Sequence, residues 1–380
     1  VPYRESHVSR TMVRPLHLAP IVVGLVVGCS DSTPRAVEQA PAPPAVKVVR
    51  IESGPDAPKK AQEALIFAKA GDIVEFAEGT FDFKSTLSLD LDSITVRGKG
   101  AGKTILRFSN QGQGTGGEGI LVTAKKRFTL EDLSIVDARG DGVKVNGTTG
   151  VVFRGVEVAW SGGAKSTNGG YGIYPVLCTD VLIEKCRVSG ASDAGIYVGQ
   201  SRNIIVRNNR VEGNVAGIEV ENSVDADVHG NDVTDNTGGI LVFTLPDLPK
   251  KEGRNCRVFK NKVVANNREN FAPKGNIVAS VPPGTGLMIM ANDRVEIFDN
   301  TIEKNDSSGV TVVSYLILSK PIKDKDYDPY CEAISIRANR FAGNGGKPSG
   351  TLPTLLSAVL GSPLPDIVHD GMFTPAKEEK

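Results

Sequence analysis

The sequence predicts an all-β fold, a parallel β-helix with a capping helix at its N-terminal end, on three observations. A glycine followed by an aliphatic residue recurs, most often at intervals of 22 or 23 residues. Each copy continues as a strand of alternating character, and asparagines repeat in two columns. A repeat of this length predicts coils stacked into a solenoid. The repeated glycines are Gly119, Gly142, Gly172, Gly195, Gly217, Gly239, Gly286 and Gly309.

The residues one and three positions after each repeated glycine are aliphatic in every copy except one, and the residue between them varies in character. The exception is Pro175, which is expected to distort its own coil. Alternation of this kind predicts a strand with one buried face and one outward face. Stacking the same face of every copy predicts a continuous aliphatic core. A second short strand follows in each copy, as in "IIVRNNRV" and "ADVHGNDV".

Asparagine tolerates the left-handed turn conformation and hydrogen-bonds backbone groups near it in the chain. When it recurs once per coil, its side-chain amide is expected to hydrogen-bond to the same amide in the next coil. The first column is Asn209, Asn231, Asn261, Asn300 and Asn339. The second column is Asn214, Asn236, Asn266, Asn305 and Asn344.

The segment "DAPKKAQEALIFAKAGDIVEFAEGTF" predicts a helix followed by the first coil. Asp56 stands at the N-cap position and Pro58 in the first turn. An apolar face follows, formed by Ala61, Leu65 and Ala68. Such a helix would cover the open end of the core, where the strands otherwise present unpaired edges.

This helix, the segment "AGDIVEFAEGTF" and the Gly-Ile-x-Val coils resemble the right-handed β-helix proteins of the pectate-lyase-like superfamily. The sequence is especially similar to exported lipoproteins of the carbohydrate-binding and sugar-hydrolase repeat group, over about residues 57–346. The resemblance implies a right-handed solenoid. It implies no single reaction, because the superfamily includes lyases, hydrolases, epimerases, esterases and non-catalytic members. The Asn-Thr-Asp and Gly-His-Gly motifs of polygalacturonases and the Asp-Pro-His-Asp motif of alginate epimerases do not occur in the sequence.

Residues 1–28 predict a signal peptide with an over-extended start before Met12. The apolar run after Arg14 is too short to span a bilayer, and the "VVGC" that ends at Cys29 resembles a bacterial lipobox. We therefore expect lipidation at Cys29 and anchoring in the bacterial cell envelope, either periplasmic or at the cell surface. An export signal cleaved elsewhere is the alternative.

Three segments follow the signal peptide. Residues 29–48 are rich in Pro and Ala and predict an extended tether after the lipidated cysteine. Residues 49–346 contain the β-helix. Residues 347–380 are Pro-rich and partly apolar, and we expect a tail that either lies back on the solenoid or caps its far end.

The chain has 44 basic and 44 acidic residues without any block of like charge. This argues against nucleic acid as a partner, because phosphate binding requires a concentrated basic face. Export permits disulfides, but the spacing of the remaining cysteines matches no metal motif, and their pairing is left open. They are Cys178, Cys186, Cys256 and Cys331.

The outward position between the two core residues of each strand contains a candidate site. Because coils stack roughly 4.8 Å apart, outward residues of consecutive coils are expected to form one column. The predicted catalytic residues are Lys144, Tyr174, Tyr197 and Glu219. The predicted substrate-binding residues beside them are Asp141, Tyr171, Asp193 and Glu221.

Four insertions interrupt the repeat at the ends of this same strand, and we expect them to wall a groove along its sheet. Spacers between coils, or contacts to a partner protein, are the alternatives. The insertions are residues 161–170, 244–255, 267–284 and 315–332.

A groove with tyrosines, a lysine and carboxylates suits a polysaccharide, because tyrosine rings pack on sugar rings while acids bond to hydroxyls. Elimination at a uronate requires a cation at its carboxylate, a base at C5 and an acid at the leaving oxygen. Lys144 is the predicted base or cation, and Tyr174 or Tyr197 the acid. As a base, Lys144 would need a lowered pKa, which Asp141 opposes. A non-catalytic lipoprotein that holds a glycan or an exported protein partner is the alternative.

No metal site is predicted, and no cofactor is expected. By similarity to pectate lyases, the candidate ligands for a calcium ion are Asp193, Glu219 and Glu221. His229 is expected on the surface. Met288 and Met290 alternate on one face and are expected to pack as apolar residues rather than to bind copper.

Overall fold

The strands of the protein stack into three parallel sheets, as a computed structural model of residues 46–123 and 126–375 shows. The predicted signal peptide, Cys29 and most of the predicted tether lie outside the described residues. Each regular coil contributes one strand to each sheet. We call the sheets A, B and C, in the order in which their strands follow one another along the chain.

Among the described residues, sheet A has eleven strands: Val48–Ile51, Ile73–Phe76, Ile94–Arg97, Lys126–Glu131, Thr149–Arg154, Thr179–Glu184, Arg202–Arg207, Val224–His229, Arg254–Phe259, Glu296–Phe298 and Ser335–Arg337. Sheet B has ten: Gly79–Asp82, Thr104–Arg107, Ser134–Val136, Glu157–Ala159, Arg187–Ser189, Arg210–Glu212, Asp232–Thr234, Lys262–Val264, Thr301–Glu303 and Arg340–Ala342. Sheet C has ten: Leu87–Leu89, Ile120–Val122, Val143–Asn146, Tyr171–Val176, Ala194–Gly199, Ala216–Glu221, Gly238–Phe243, Thr285–Met290, Ser308–Val313 and Ile367–His369.

The predicted aliphatic core is confirmed. In sheet C, Val143 pairs with Ile120 on one side and with Ile173 on the other, and all three side chains are fully buried. The same inward position is buried in every later coil of this sheet up to Val310. Burial of apolar area contributes roughly 25 cal/mol per Å², so this continuous core is the main source of the stability of the solenoid.

The repeated glycine is required by close packing between coils. A Cβ atom on Gly217 would lie 2.6 Å from the carbonyl oxygen of Gly239 and 2.6 Å from Cγ1 of Val233. Both distances are shorter than van der Waals contact allows. The repeat that reveals the fold in the sequence is thus a steric requirement of the coil.

Both predicted asparagine columns form ladders inside the solenoid. The Nδ2 of Asn209 donates to Oδ1 of Asn231 at 3.0 Å, and the same bond continues through the first column to Asn339. The second column runs from Asn214 to Asn344 in the same way. All of these asparagines except the half-buried Asn339 are buried, so the bonds satisfy polar groups that would otherwise lack partners.

Helix α1 (Ala57–Phe67) lies at the N-terminal end and buries Ala57, Ala61 and Leu65. Asp56 occupies the N-cap position, although its side chain makes no capping hydrogen bond. Ala68 follows the helix as its C-cap and packs partly buried against the core.

The C-terminal segment contains helix α2 (Thr351–Leu360) and then the strand Ile367–His369, which pairs with Ser308–Val313 as the last strand of sheet C. Two one-turn 3₁₀ helices, Ile277–Ser280 and Tyr315–Leu318, lie in the longer insertions. Within the part of the chain that the structure describes, neither α1 nor α2 nor any other helix is long and apolar enough to cross a membrane.

Candidate functional site

The outer face of sheet C carries the predicted site residues, in the register expected from the repeat. Lys144 pairs with Tyr174, and Tyr197 pairs with Glu219. The ring centroids of Tyr174 and Tyr197 are 5.0 Å apart. The four predicted catalytic residues therefore form one column across four consecutive strands.

Three tyrosine rings meet at the centre of this column. The ring of Tyr171 lies 4.5 Å from that of Tyr174 and 4.6 Å from that of Tyr197. The Nζ atom of Lys144 is 4.8 Å from the centroid of the Tyr174 ring, within the range of a cation–π contact. Gly199 makes room for this packing, because a Cβ atom there would collide with the Tyr197 ring.

The insertion of residues 267–284, which we call the covering loop, folds across the outer face of sheet C. Val278 and Val281 are buried in a second apolar cluster, which also contains Tyr197 and Leu241 of the sheet. As a result only 4% of Tyr197 and 2% of Glu219 remain exposed. The sequence predicts that this insertion forms a wall of a groove. In the structure the loop instead covers part of the column.

Two asparagines hold the covering loop in place. The side chain of Asn270 donates to the carbonyls of Val278 and Val281, both at 2.9 Å, and so fixes the loop's own turn. Asn276 donates to Oδ2 of Asp193 at 2.8 Å, and this bond connects the loop to a predicted binding residue.

Two of the other insertions contact each other. The hydroxyl of Tyr327 donates to the carbonyl of Thr244 at 2.6 Å, and Lys251 forms an ion pair with Asp324 at 2.8 Å. These contacts join residues 244–255 to residues 315–332.

Asp193, Glu219 and Glu221 form a buried acidic group under the covering loop. The Tyr197 hydroxyl donates to Oε1 of Glu221 at 2.6 Å. The Oε2 atom of Glu219 is buried without a hydrogen-bond partner in the described structure. Burial raises the pKa of Asp193 to about 7, with Glu221 and Asp141 adding to the effect. Burial also raises the pKa of Glu219 well above its usual range, and the charges of Asp193 and Glu221 act in the same direction.

The N-terminal half of the column is open to solvent. Asp141, Lys144, Tyr171 and Tyr174 are partly exposed. Burial raises the pKa of Asp141 to about 6, whereas the backbone N–H of Tyr171 and the charge of Lys144 favour its ionised form. Burial raises the pKa of Tyr174 to about 12. A carboxyl that titrates near neutral pH thus stands beside a cation and a phenol, a combination suited to proton transfer.

The remaining candidates lie elsewhere. The ring of His229 stacks on Phe259 in sheet A, with centroids 4.7 Å apart. Met288 and Met290 are buried in the second apolar cluster. The four cysteines in the described residues are free thiols, three of them buried. Over residues 46–123 and 126–375, no group of three or more His, Cys, Asp or Glu side chains has an arrangement that could hold a metal ion.

Comparison with known proteins identifies the fold class. Residues 99–247 match the family model described as "Right handed beta helix region". The chain folds as a right-handed parallel β-helix, the fold of the pectate-lyase-like superfamily that its sequence resembles, so the predicted fold is confirmed. No curated protein matches the chain.

Solved structures with similar coordinates include two epimerases. The A-module of mannuronan C-5 epimerase AlgE4 from Azotobacter vinelandii has a TM-score of 0.51 and 16% identity, covering 78% of this chain and 94% of that one. A double mutant of the periplasmic alginate epimerase AlgG has a TM-score of 0.51 and 14% identity, covering 78% of this chain and 73% of that one. At such identities the similarity shows the fold alone.

The raised pKa values of the buried acids predict a pH-dependent stability. Free carboxyls titrate near pH 4, so between about pH 4 and about pH 7 the folded state binds more protons than the unfolded state at Asp193 and Glu219. Their contribution to stability therefore falls as pH rises through this window. We expect Glu219→Gln to be more stable than the parent at pH 8, by on the order of 1–3 kcal/mol, and to differ less at pH 4.5.

Urea denaturation of parent and variant at the two pH values measures this difference. Glu184→Gln is the matched control with the opposite sign, because the hydrogen bond and charge of Arg154 lower the pKa of Glu184. That variant should lose stability, and lose more at pH 8 than at pH 4.5. An effect of Glu219→Gln that is the same at both pH values would contradict the expectation.

Proposed function

We propose that the protein binds an acidic polysaccharide on the open half of sheet C, at Lys144, Tyr174, Tyr171 and Asp141. The observation that carries this proposal is the partly exposed lysine–tyrosine column beside a closed, buried end. Tyrosine rings offer apolar faces and hydroxyls to a sugar. Lys144 offers a cation to a uronate carboxylate. The polysaccharide-modifying proteins that share the fold make this class of ligand a reasonable one.

The position of the covering loop argues for a ligand that enters from the N-terminal coils. Tyr197, Glu219 and Glu221 lie at the closed end of the site and are almost fully buried. A chain laid across the open strands would contact Lys144 and Tyr174 first. Asp193, bonded to Asn276 of the loop, marks the boundary between the open and closed parts.

Binding is tested by affinity electrophoresis of the purified chain in gels that contain polyuronate, with a neutral glucan as the comparison. We expect the parent to be retained by polyuronate, and Lys144→Ala and Tyr174→Ala each to weaken retention about tenfold. Lys262→Ala, an exposed lysine on sheet B, is the matched control and should behave as the parent. Absence of retention, or equal loss in all three variants, would refute the proposal and favour a scaffold for an exported protein partner.

Modification of the bound chain is the second candidate function, and the pKa of Asp141 is the observation in its favour. In this role Asp141 removes the C5 proton of a uronate, Lys144 neutralises the uronate carboxylate, and Tyr174 supplies a proton. Protonation of C5 on the opposite face gives epimerisation, whereas protonation of the leaving oxygen gives elimination. Tyr197 is less suited as the acid, because its hydroxyl is buried and bonded to Glu221.

The second candidate predicts turnover of polyuronate that rises with pH through about 6, as Asp141 loses its proton. Unsaturated product reports elimination, and deuterium uptake at C5 from heavy water reports epimerisation. We expect Asp141→Asn to abolish either signal while it retains at least a third of the parent's binding. Retention of the polymer by the parent without either signal would reject catalysis and leave the binding function in place.

Anchoring through Cys29 and location in the bacterial cell envelope belong to the same proposal, and the lipobox-like sequence supports them. We expect the full chain to be labelled by a palmitate analogue in bacterial cells, and Cys29→Ser to be unlabelled and released from membranes. In the described structure Asp193, Glu219 and Glu221 are not arranged so that they could hold a metal ion, and calcium is not part of the proposed function.

A further inference from the structure

A second pocket lies on the outer face of sheet C, on the C-terminal side of the covering loop. Its volume is about 460 Å³, within the range of roughly 300–1,000 Å³ that is typical of small-molecule sites. Three segments that the solenoid itself does not require form its walls: the covering loop, the 3₁₀ helix Tyr315–Leu318 and the start of α2. Its main apolar lining residues are Phe243, Val281, Met288, Met290, Val313 and Leu355.

None of the described residues that line the pocket is Asp, Glu, Lys, Arg or His, so these residues offer no charge to a ligand in its interior. The floor consists of Phe243, Met288, Met290 and Val313, all buried in the second apolar cluster. Methionine side chains are flexible and polarisable, and they adapt to apolar ligands of varied shape.

Two of the three polar side chains at the wall, Asn270 and Ser280, already have partners within the protein, and the third, Thr351, lies exposed at the start of α2. Asn270 donates to two carbonyls of the covering loop and accepts from the N–H of Ala272. The hydroxyl of Ser280 donates to the carbonyl of Ile277 at 2.6 Å. The pocket therefore offers little hydrogen bonding to a sugar, and this separates it from the site proposed around Lys144.

The apolar surface continues outward from the pocket in one direction. Leu355 lines the mouth and is 62% exposed, and Ile317 opposite it is 39% exposed. Val359 lies one helical turn beyond Leu355 on the same side of α2 and is 83% exposed. A deep apolar floor that opens onto an apolar strip fits an elongated ligand, whose inner end is enclosed and whose outer end lies in solvent.

We propose that this pocket binds the hydrocarbon chain of a single-chain amphiphile, such as a free fatty acid. The hydrocarbon chain of the ligand enters between Ile317 and Leu355 and packs on Met288 and Met290. The polar head of the ligand stays in water beside α2. The hydrophobic effect supplies the affinity, because binding removes both the chain and the exposed apolar rim from water.

The probe for this test is dansyl-undecanoic acid, whose fluorescence rises in an apolar environment. We expect the full chain to bind the probe and palmitate to displace it, whereas a neutral oligosaccharide should not. Leu355→Glu and Ile317→Glu should each weaken probe affinity about tenfold, because each places a carboxylate in the path of the hydrocarbon chain. Both positions are exposed, so neither change is expected to prevent folding, and circular dichroism checks this.

Ile66→Glu is the matched control, since Ile66 is 64% exposed on helix α1 and far along the chain from the pocket. Its probe affinity should equal that of the parent. Failure of the parent to bind the probe, or equal loss in the control, would overturn the proposal. Flotation with phosphatidylcholine vesicles without binding of monomeric probe would also overturn it, in favour of a surface that meets bilayers.

Discussion

In-phase stacking of successive coils is the constraint on which the rest of the structure depends. The asparagine ladders hold only if each amide stands above the corresponding amide of the preceding coil, as Asn236 does between Asn214 and Asn266. The repeated glycine at the start of eight strands of sheet C reflects the same spacing, because the neighbouring coil leaves no space for a Cβ atom there. An insertion is therefore tolerated only where the chain can leave and return at one place. The covering loop does this: it follows Asn266 and ends at Gly284, whose N–H bonds to the carbonyl of Asn266 at 2.9 Å.

As a consequence of this constraint, the outer face of sheet C is divided into three zones. The regular strands supply a flat array of outward side chains at constant spacing, and the insertions decide what each part of the array meets. The open zone around Lys144 meets water. The middle zone around Glu219 is sealed by the covering loop, so its acids titrate at higher pH than they do in water. The last zone, above Met288, is an apolar pocket. The chemical character of the outward side chains therefore changes along sheet C, whereas the backbone of the strands stays regular.

The fold was predictable because its signal is periodic and local. The glycine, the alternation and the two asparagine columns each repeat within about one coil, and each reports a packing requirement that recurs. The register of the site column followed from the same periodicity, which brings Lys144 beside Tyr174. The roof over the column was not predictable. Its anchor joins Asn276 to Asp193, 83 residues apart in the chain, and no repeat links the two. The apolar residues in "NIVASVPP" are the only signal in that insertion that it covers something.

The residue at position 219 separates what the fold requires from what it merely accommodates. In the neighbouring coil the same column position is Leu241, and in the next it is Met288. Both are buried, so an apolar side chain fits this position of the sheet. An acid here instead leaves Oε2 without a partner, which costs roughly 1–3 kcal/mol. Glu219 is therefore not explained by stability, and neither is the pairing of Glu221 with a buried tyrosine. Local violations of packing rules of this kind concentrate at functional sites. The burial of the acids is thus a second physical reason, beside the exposed lysine–tyrosine column, to test the proposed function at the border between the open column and the covering loop.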